Sequence, residues 1–286
     1  MRTHYALHYV DHGPRDAPTI LFLHGITGSR RYWEKKVRPL ARRYRLVIPD
    51  LLGFGLSPKP YLEYTMDLYR DTVRDFVVEC GLAGRPLVIV GHSLGSLIAL
   101  NYAAAHPDHV TRLVLFSLPR YADPVTAHYL FWRGSPHYRW LLNEHSLAET
   151  LAQMKRTGLG LTLRYILRFP LAVVIDAHKC TFKSLTSTLD NCLLNYQIDG
   201  ILPQVPKVPT LLVHGERDSV APLDHVLGLP LQYPQMRLEV IPRTGHHTFL
   251  TDTRHCVTLI DRFLPDGTTP GERDAGVKRS HEATAS

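Results

Sequence analysis

Cysteine is scarce in this sequence: 286 residues include four, Cys80, Cys180, Cys192 and Cys256. They are widely separated and form no Cys-x-x-Cys pair, which argues against both a disulfide framework and a thiolate metal site. They read as reduced packing residues. Long apolar runs are lacking too, since none approaches the ~18 residues that a membrane-spanning helix needs. The opening stretch MRTHYALHYVDHG also has no apolar signal-peptide core. The expectation is a cytoplasmic protein with no membrane span. Zinc patterns are missing as well: none of the seventeen histidines belongs to an HExxH or Cys/His motif. His4, His8 and His12 recur every four residues, but their segment reads as an extended edge strand, on which such residues lie ~13 Å apart, too far to share one ion. No metal and no cofactor is expected, and no internal repeat is found.

Positive charge is in excess, with a formal net charge of +7, which raises the question of nucleic acid. The basic residues are spread along the chain, and the one dense run is Arg30 to Arg45, RRYWEKKVRPLARRYR. In it Trp33, Val37, Leu40 and Ala41 recur at helical spacing, so the basic groups are expected on a solvated face. No nucleic-acid partner is expected. The length suffices for one large domain, or for one domain with an insertion.

Short β-rich runs alternate with longer helical patterns. Thr19–Leu23, Arg45–Pro49, Leu87–Val90 and Thr111–Phe116 lack polar alternation, as strands do when a parallel sheet is covered on both faces. The pattern resumes with Thr210–Val213, Arg237–Ile241 and a closing helix near Thr251 to Phe263. This predicts an α/β fold with a mostly parallel, doubly wound sheet built from residues 1–118 and 207–264. Residues 119–206 change texture to long amphipathic stretches, including Leu161 to Ile175, without a credible strand. They predict a helical cap inserted over the strand ends where ligands bind in such sheets. Residues 265–286 are polar and rich in turn residues, which predicts a disordered tail.

The run VIVGHSLGS, Val88 to Ser96, ends a buried strand in a serine held between glycines and opens the apolar helical stretch LGSLIALNYAAA. Two glycines around one serine suggest a tight, strained turn that pushes the hydroxyl outward, and strand, turn, helix is the context of a nucleophile elbow. The hydroxyl needs a base, and the base needs an orienting carboxylate. The strand Thr210–Val213 leads into HGERD, which carries Asp218; the strand Arg237–Ile241 leads into PRTGHH, which carries His246 and His247. Glu216 is the alternative acid and His247 the alternative base. Asp50 also follows a strand, but the turn at Gly53 and Gly55 after it suggests a structural role. Ser117, at the end of another strand, has no carboxylate to offer.

With these motifs the sequence resembles the α/β-hydrolase superfamily over nearly all of residues 4–264. The resemblance rests on HGITGS (His24 to Ser29), DLLGFGLS (Asp50 to Ser57), GHSLG, VPTLLVHGERDSVAP (Val208 to Pro222) and GHHTFL (Gly245 to Leu250), in that order. It implies an α/β-hydrolase fold with Ser93 as nucleophile, His246 as base and Asp218 as its orienting acid. It also implies an oxyanion hole from the backbone N–H groups of Ile26 and Leu94. Haloalkane dehalogenases and epoxide hydrolases of similar layout use an aspartate at the elbow, so Ser93 argues against both. The leading expectation is a serine hydrolase of the carboxylesterase type, cleaving an ester, thioester or lactone of a medium-sized, partly apolar small molecule. The alternatives are a carbon–carbon bond hydrolase of β-diketone-like substrates, an acyltransferase, or a ligand-sensing homologue. His92, Phe131, Trp132, Tyr138, Trp140 and His247 are candidate pocket residues. The sequence does not fix the oligomeric state.

Overall fold

Strands covered on both faces send alternate side chains into two separate cores, and the sheet here is built that way. A computed structural model of the chain describes residues 3–134, 176 and 179–264. Among them, β1 (Tyr9–His12), β2 (Thr19–Leu23), β3 (Arg45–Pro49), β4 (Leu87–His92), β5 (Val110–Phe116), β6 (Thr210–Gly215) and β7 (Met236–Ile241) form one sheet in the order β1-β3-β2-β4-β5-β6-β7. β1 runs antiparallel to β3, and all other pairings are parallel. Leu21, Leu23 and Ile89 enter one core, while their neighbours Ile20, Phe22, Val88 and Val90 enter the other, as the two-residue period of a strand requires. The predicted sheet is therefore present, and β2 and β3 have the predicted limits. β4 and β6 run on to His92 and Gly215, carrying the strands up to the loops of interest.

Among the described residues the α-helices are α1 (Glu34–Val37), α2 (Met66–Glu79), α3 (Leu94–Ala105), α4 (Pro124–Gly134), α5 (Phe182–Leu189), α6 (Leu229–Gln232), α7 (Thr248–Thr251) and α8 (Thr253–Phe263). The helical spacing read in Arg30 to Arg45 is carried by short pieces rather than by one continuous helix. These are a 3-10 turn, the short α1 and a second 3-10 stretch, Arg38–Arg42, with proline in its first turn. Proline lacks the N–H that a continuing α-helix requires. The predicted apolar stripe survives, with Trp33, Val37 and Leu40 buried. Arg45 departs from the expected solvated face because it lies in β3, where its guanidinium is buried on Asp11 of β1 at 2.7 Å. That pair fastens the antiparallel edge strand to its neighbour.

The segment between β5 and β6 was predicted to be a helical insertion. Its described part holds α4, α5 and a π turn, Asp190–Leu194. Ser187 of α5 accepts a hydrogen bond from the backbone N–H of Tyr64 at 2.8 Å and donates one to Glu63 at 2.8 Å. Leu189, Leu193 and Leu202 join the same core as Leu21 and Ile89, so this part packs on the sheet-bearing body. The predicted stretch Leu161 to Ile175 and the predicted tail, residues 265–286, lie outside the described residues. No described helix is long and apolar enough to cross a membrane.

The seam between α3 and the sheet leaves no room for a side chain. A β-carbon on Gly95 would lie 2.2 Å from the Leu23 carbonyl oxygen, and one on Gly91 would lie 2.5 Å from the Gly95 carbonyl oxygen. These obstacles are backbone atoms and cannot swing aside. Gly95→Ala is therefore expected to destabilise the fold by about 1–3 kcal/mol or more through overpacking. A urea denaturation midpoint equal to that of the unmodified protein would contradict the close approach.

Candidate active site

α3 begins directly where β4 ends, and the junction is Ser93, with φ 51° and ψ −115°. A left-handed φ is sterically costly for serine and is tolerated only where surrounding structure enforces it. Thr27, Ser93, Ser117 and Arg243 are the non-glycine residues with positive φ among those described. They lie in the loops after β2, β4, β5 and β7, so strain concentrates at the carboxyl ends of the strands.

The loop after β2 folds around His24. Leu51 N–H donates to His24 Nε2 at 2.9 Å, so the proton is on Nδ1, which donates to the Gly25 carbonyl at 2.8 Å. Burial pushes His24 down from the ordinary histidine range, consistent with a neutral ring. Gly28 N–H donates to the Gly25 carbonyl at 3.1 Å, closing a turn whose central residues are Ile26 and left-handed Thr27. The Ile26 N–H is not used in closing that turn, and Leu94 N–H, at the first position of α3, has no acceptor within its helix. A β-carbon on Gly25 would lie 3.3 Å from Ser93 Cβ, so this loop sits directly against the elbow.

Asp50 turns out to fasten loops. Its carboxylate accepts from the backbone N–H of Arg30 at 2.6 Å and of Leu56 at 2.8 Å, and the Arg30 guanidinium lies 3.1 Å away. Gly55 has φ 53°, and a β-carbon there would strike the Asp50 carboxyl group at 2.3 Å. The glycine allows the turn to wrap the carboxylate.

The loops after β6 and β7 bring Asp218 and His246 together. His246 Nδ1 lies 2.9 Å from Asp218 Oδ2 and 3.1 Å from Oδ1. Asp218 Oδ1 also accepts from the backbone N–H groups of Val220 at 3.0 Å and Ala221 at 2.9 Å. Burial alone would raise the carboxyl group's pKa, but the charge and hydrogen bond of His246 and the Ala221 N–H outweigh it and bring it to about 2. The ionised carboxylate keeps the proton on His246 Nδ1, leaving Nε2 as the basic atom. Glu216 points elsewhere, accepting from Arg243 N–H at 2.7 Å. Among the described residues no hydrogen bond joins Ser93 to the imidazole, a contact that commonly tightens only when substrate is bound.

His92, Tyr32 and His247 form a ring cluster behind this pair. Tyr32 stacks on His92 at 4.6 Å between centroids, and His247 lies 5.3 Å from His92 and 5.5 Å from His246. Burial is the main reason that His92 lies well below the ordinary histidine range and that His247 falls to about 3, with the neighbouring His246 adding to both shifts. Of the other predicted pocket residues, Phe131 is buried against Tyr121 at 6.1 Å. Trp132 lies in α4 with its side chain outside the described residues, as are Tyr138 and Trp140 altogether. Sequence reasoning missed Tyr32, Tyr121 and His214. Tyr121 and His214 support the acid loop, donating to the carbonyls of Val220 at 2.8 Å and Ala221 at 2.6 Å. Only the strand-end position of His214 hinted at this.

Buried histidines with depressed pKa, His24, His92, His214 and His247 among them, make stability depend on pH. His92 and His247 favour the neutral form when folded, whereas in the unfolded chain they titrate near 6.5. Their contribution is complete above about pH 6.5 and is lost as the pH falls toward the His247 value of about 3. The contribution of Asp218, which titrates at about 2 when folded, is lost only below about pH 4. The thermal midpoint is thus expected to fall between pH 7 and pH 4.5, and His247→Asn to flatten the decline. A midpoint that stays level across that window in calorimetry would contradict the burial of neutral rings.

Comparison with known proteins agrees with the fold. A family model described as alpha/beta hydrolase fold matches residues 18–253. An uncharacterized protein of Mycobacterium tuberculosis is 28% identical over 284 residues, covering 92% of this chain and 80% of its own length. A haloalkane dehalogenase of Mycobacterium marinum is 36% identical over 140 residues, 47% of this chain and 46% of its own. Among solved structures, a thermophilic esterase from Thermogutta terrifontis superposes with a TM-score of 0.71 at 20% identity, covering 91% of this chain and 93% of its own. With the sheet, the strained strand-to-helix turn and this match in hand, the chain belongs to the alpha/beta hydrolase fold family.

Proposed function

We propose that the protein is a serine hydrolase that cleaves a carboxylic ester, thioester or lactone through an acyl-enzyme on Ser93. The observation that carries this reading is the 2.9 Å contact of His246 Nδ1 with a buried, ionised Asp218, in loops that converge on a strained serine elbow. Family membership makes the chain a hydrolase-type enzyme, and the residue at the elbow selects the chemistry. The matched haloalkane dehalogenase suggests a wider range of reactions, but Ser93 supplies a hydroxyl where enzymes of that kind need a carboxylate.

In this mechanism Ser93 Oγ attacks the substrate carbonyl carbon while His246 Nε2 takes the hydroxyl proton. The carbonyl π electrons move onto oxygen, and the N–H groups of Ile26 and Leu94 stabilise the resulting anion; one such donor is typically worth ~10²–10³ in rate. Collapse of the intermediate breaks the bond to the leaving alcohol, thiol or lactone oxygen, which receives the proton from His246. Water, deprotonated by the same imidazole, then attacks the acyl carbon; collapse of this second intermediate breaks the acyl–Oγ bond and releases the acid, and His246 returns its proton to Ser93 Oγ. Asp218 stays ionised throughout and stabilises the imidazolium. Because the oxyanion donors belong to the backbone, their role does not depend on the Ile26 and Leu94 side chains, of which Leu94 is buried in the core. The insertion between β5 and β6 is the proposed cap, fitting a medium-sized, partly apolar substrate.

Intact-protein mass after incubation with a fluorophosphonate should show one adduct that maps to Ser93, and p-nitrophenyl esters from acetate to decanoate should be turned over with a chain-length optimum. Ser93→Ala should lower turnover by ~10⁶ and Asp218→Asn by ~10⁴. Ester turnover by Ser93→Ala near that of the unmodified protein would sink the assignment. An adduct without ester turnover would move the reading to carbon–carbon cleavage, acyl transfer or ligand sensing.

A further inference from the structure

The imidazole of His246 is oriented by Asp218, but its backbone is held by a second pair of residues. The His246 carbonyl oxygen accepts from Ser117 Oγ at 2.9 Å and from His92 Nε2 at 2.9 Å. Both donors come from strand ends that also build the elbow. His92 closes β4 immediately before Ser93, and Ser117 follows β5, where the Phe116 carbonyl accepts from Ser93 N–H at 2.9 Å and from Ser96 Oγ at 3.1 Å. Ser117 is fully buried and adopts a left-handed φ of 49°, a conformation that costs a serine energy and that the hydroxyl contact helps to retain.

From this geometry we infer that Ser117 and His92 are positioning residues that clamp the His246 carbonyl and so fix the base relative to Ser93. The assignment rests on His246 acting as the base. No loop of intervening length separates clamp from nucleophile: His92 adjoins Ser93 in sequence, and the β5 end that bears Ser117 accepts the Ser93 N–H. The distance from nucleophile to base is therefore set by strand pairing and two hydrogen bonds. A carbonyl only accepts, so His92 carries its proton on Nε2, and burial favours this neutral tautomer with Nδ1 unprotonated. Its Nδ1 is buried without a hydrogen-bond partner among the described residues and faces Gly25, where a β-carbon would come within 2.8 Å. Gly25 leaves space for the donating ring orientation, and Tyr32 stacks against the ring.

Steady-state kinetics with p-nitrophenyl butyrate, normalised to active sites titrated with fluorophosphonate, test the clamp. Ser117→Ala and Ser117→Gly both lose the hydroxyl, and glycine also relaxes the left-handed backbone. Both are expected to lower kcat by about 10- to 100-fold, the penalty for misplacing a catalytic group by roughly 1 Å, with KM changed by less than about twofold. The fluorophosphonate labelling rate of Ser93 should fall in step. His92→Phe, which keeps a ring against Tyr32 but cannot donate, should lower kcat similarly, and His92→Gln, which keeps a donor, should recover most of it. Unchanged kcat in both Ser117 variants, or recovery in Ser117→Gly alone, would overturn the clamp while leaving the serine mechanism standing. An unmodified protein with neither labelling nor turnover would overturn both.

Discussion

The close approach of backbone to backbone at the end of β4 is the constraint on which the site depends. Gly91 and Gly95 let α3 start hard against the carbonyls of Leu23 and His24, and this contact turns the chain sharply enough to force Ser93 into a left-handed conformation. The same contact brings the loop after β2 against the serine, so predicted nucleophile and predicted oxyanion donors are fixed by one piece of packing. A larger residue at either glycine would separate them before altering any polar group. The chemistry proposed here is thus secured first by sterics.

Electrostatics then divides the polar groups by charge state. One carboxylate, Asp218, stays ionised because backbone N–H groups and an imidazole surround it, whereas His24, His92 and His247 are driven toward neutrality mainly by burial. His246 has Nδ1 on the carboxylate and a side chain that keeps 13% of its exposure. In the proposed mechanism, a proton arriving on Nε2 meets a fixed negative partner, Asp218, beside rings that burial keeps neutral. Asp50, equally buried, is spent on holding loops and faces Arg30.

Much of this was legible in the sequence, for physical reasons that differ by element. Strands such as Thr19–Leu23 and Arg45–Pro49 were readable to the residue because burial on both faces removes polar residues from the run. The sharp turn at Ser93 and the meeting of Asp218 with His246 were readable because each residue follows a strand and is flanked by turn residues; their catalytic roles are part of the proposal. The stretch Arg30 to Arg45 was only half legible: its apolar stripe is real, but Pro39 breaks the hydrogen-bond ladder that periodicity presupposes. Ser117 was noticed only as lacking a carboxylate and His92 only as a candidate pocket residue; their contacts to a backbone carbonyl far away in sequence were not readable. No residue pattern encodes which carbonyl a serine will find. Arg45 likewise looked like one more surface cation until its strand partner Asp11 was in view.

β5 and β6 are neighbours in the sheet although residues 117–209 intervene between them. Closing a long loop costs entropy that grows only logarithmically, about 0.6 kcal/mol for each doubling of its length. The fold can therefore accept an intervening segment of very different size at almost constant thermodynamic cost. The length of the segment can vary, provided that the residues by which it packs on the body, such as Leu189, Leu193 and Leu202, are kept, while the paired strand ends hold their register.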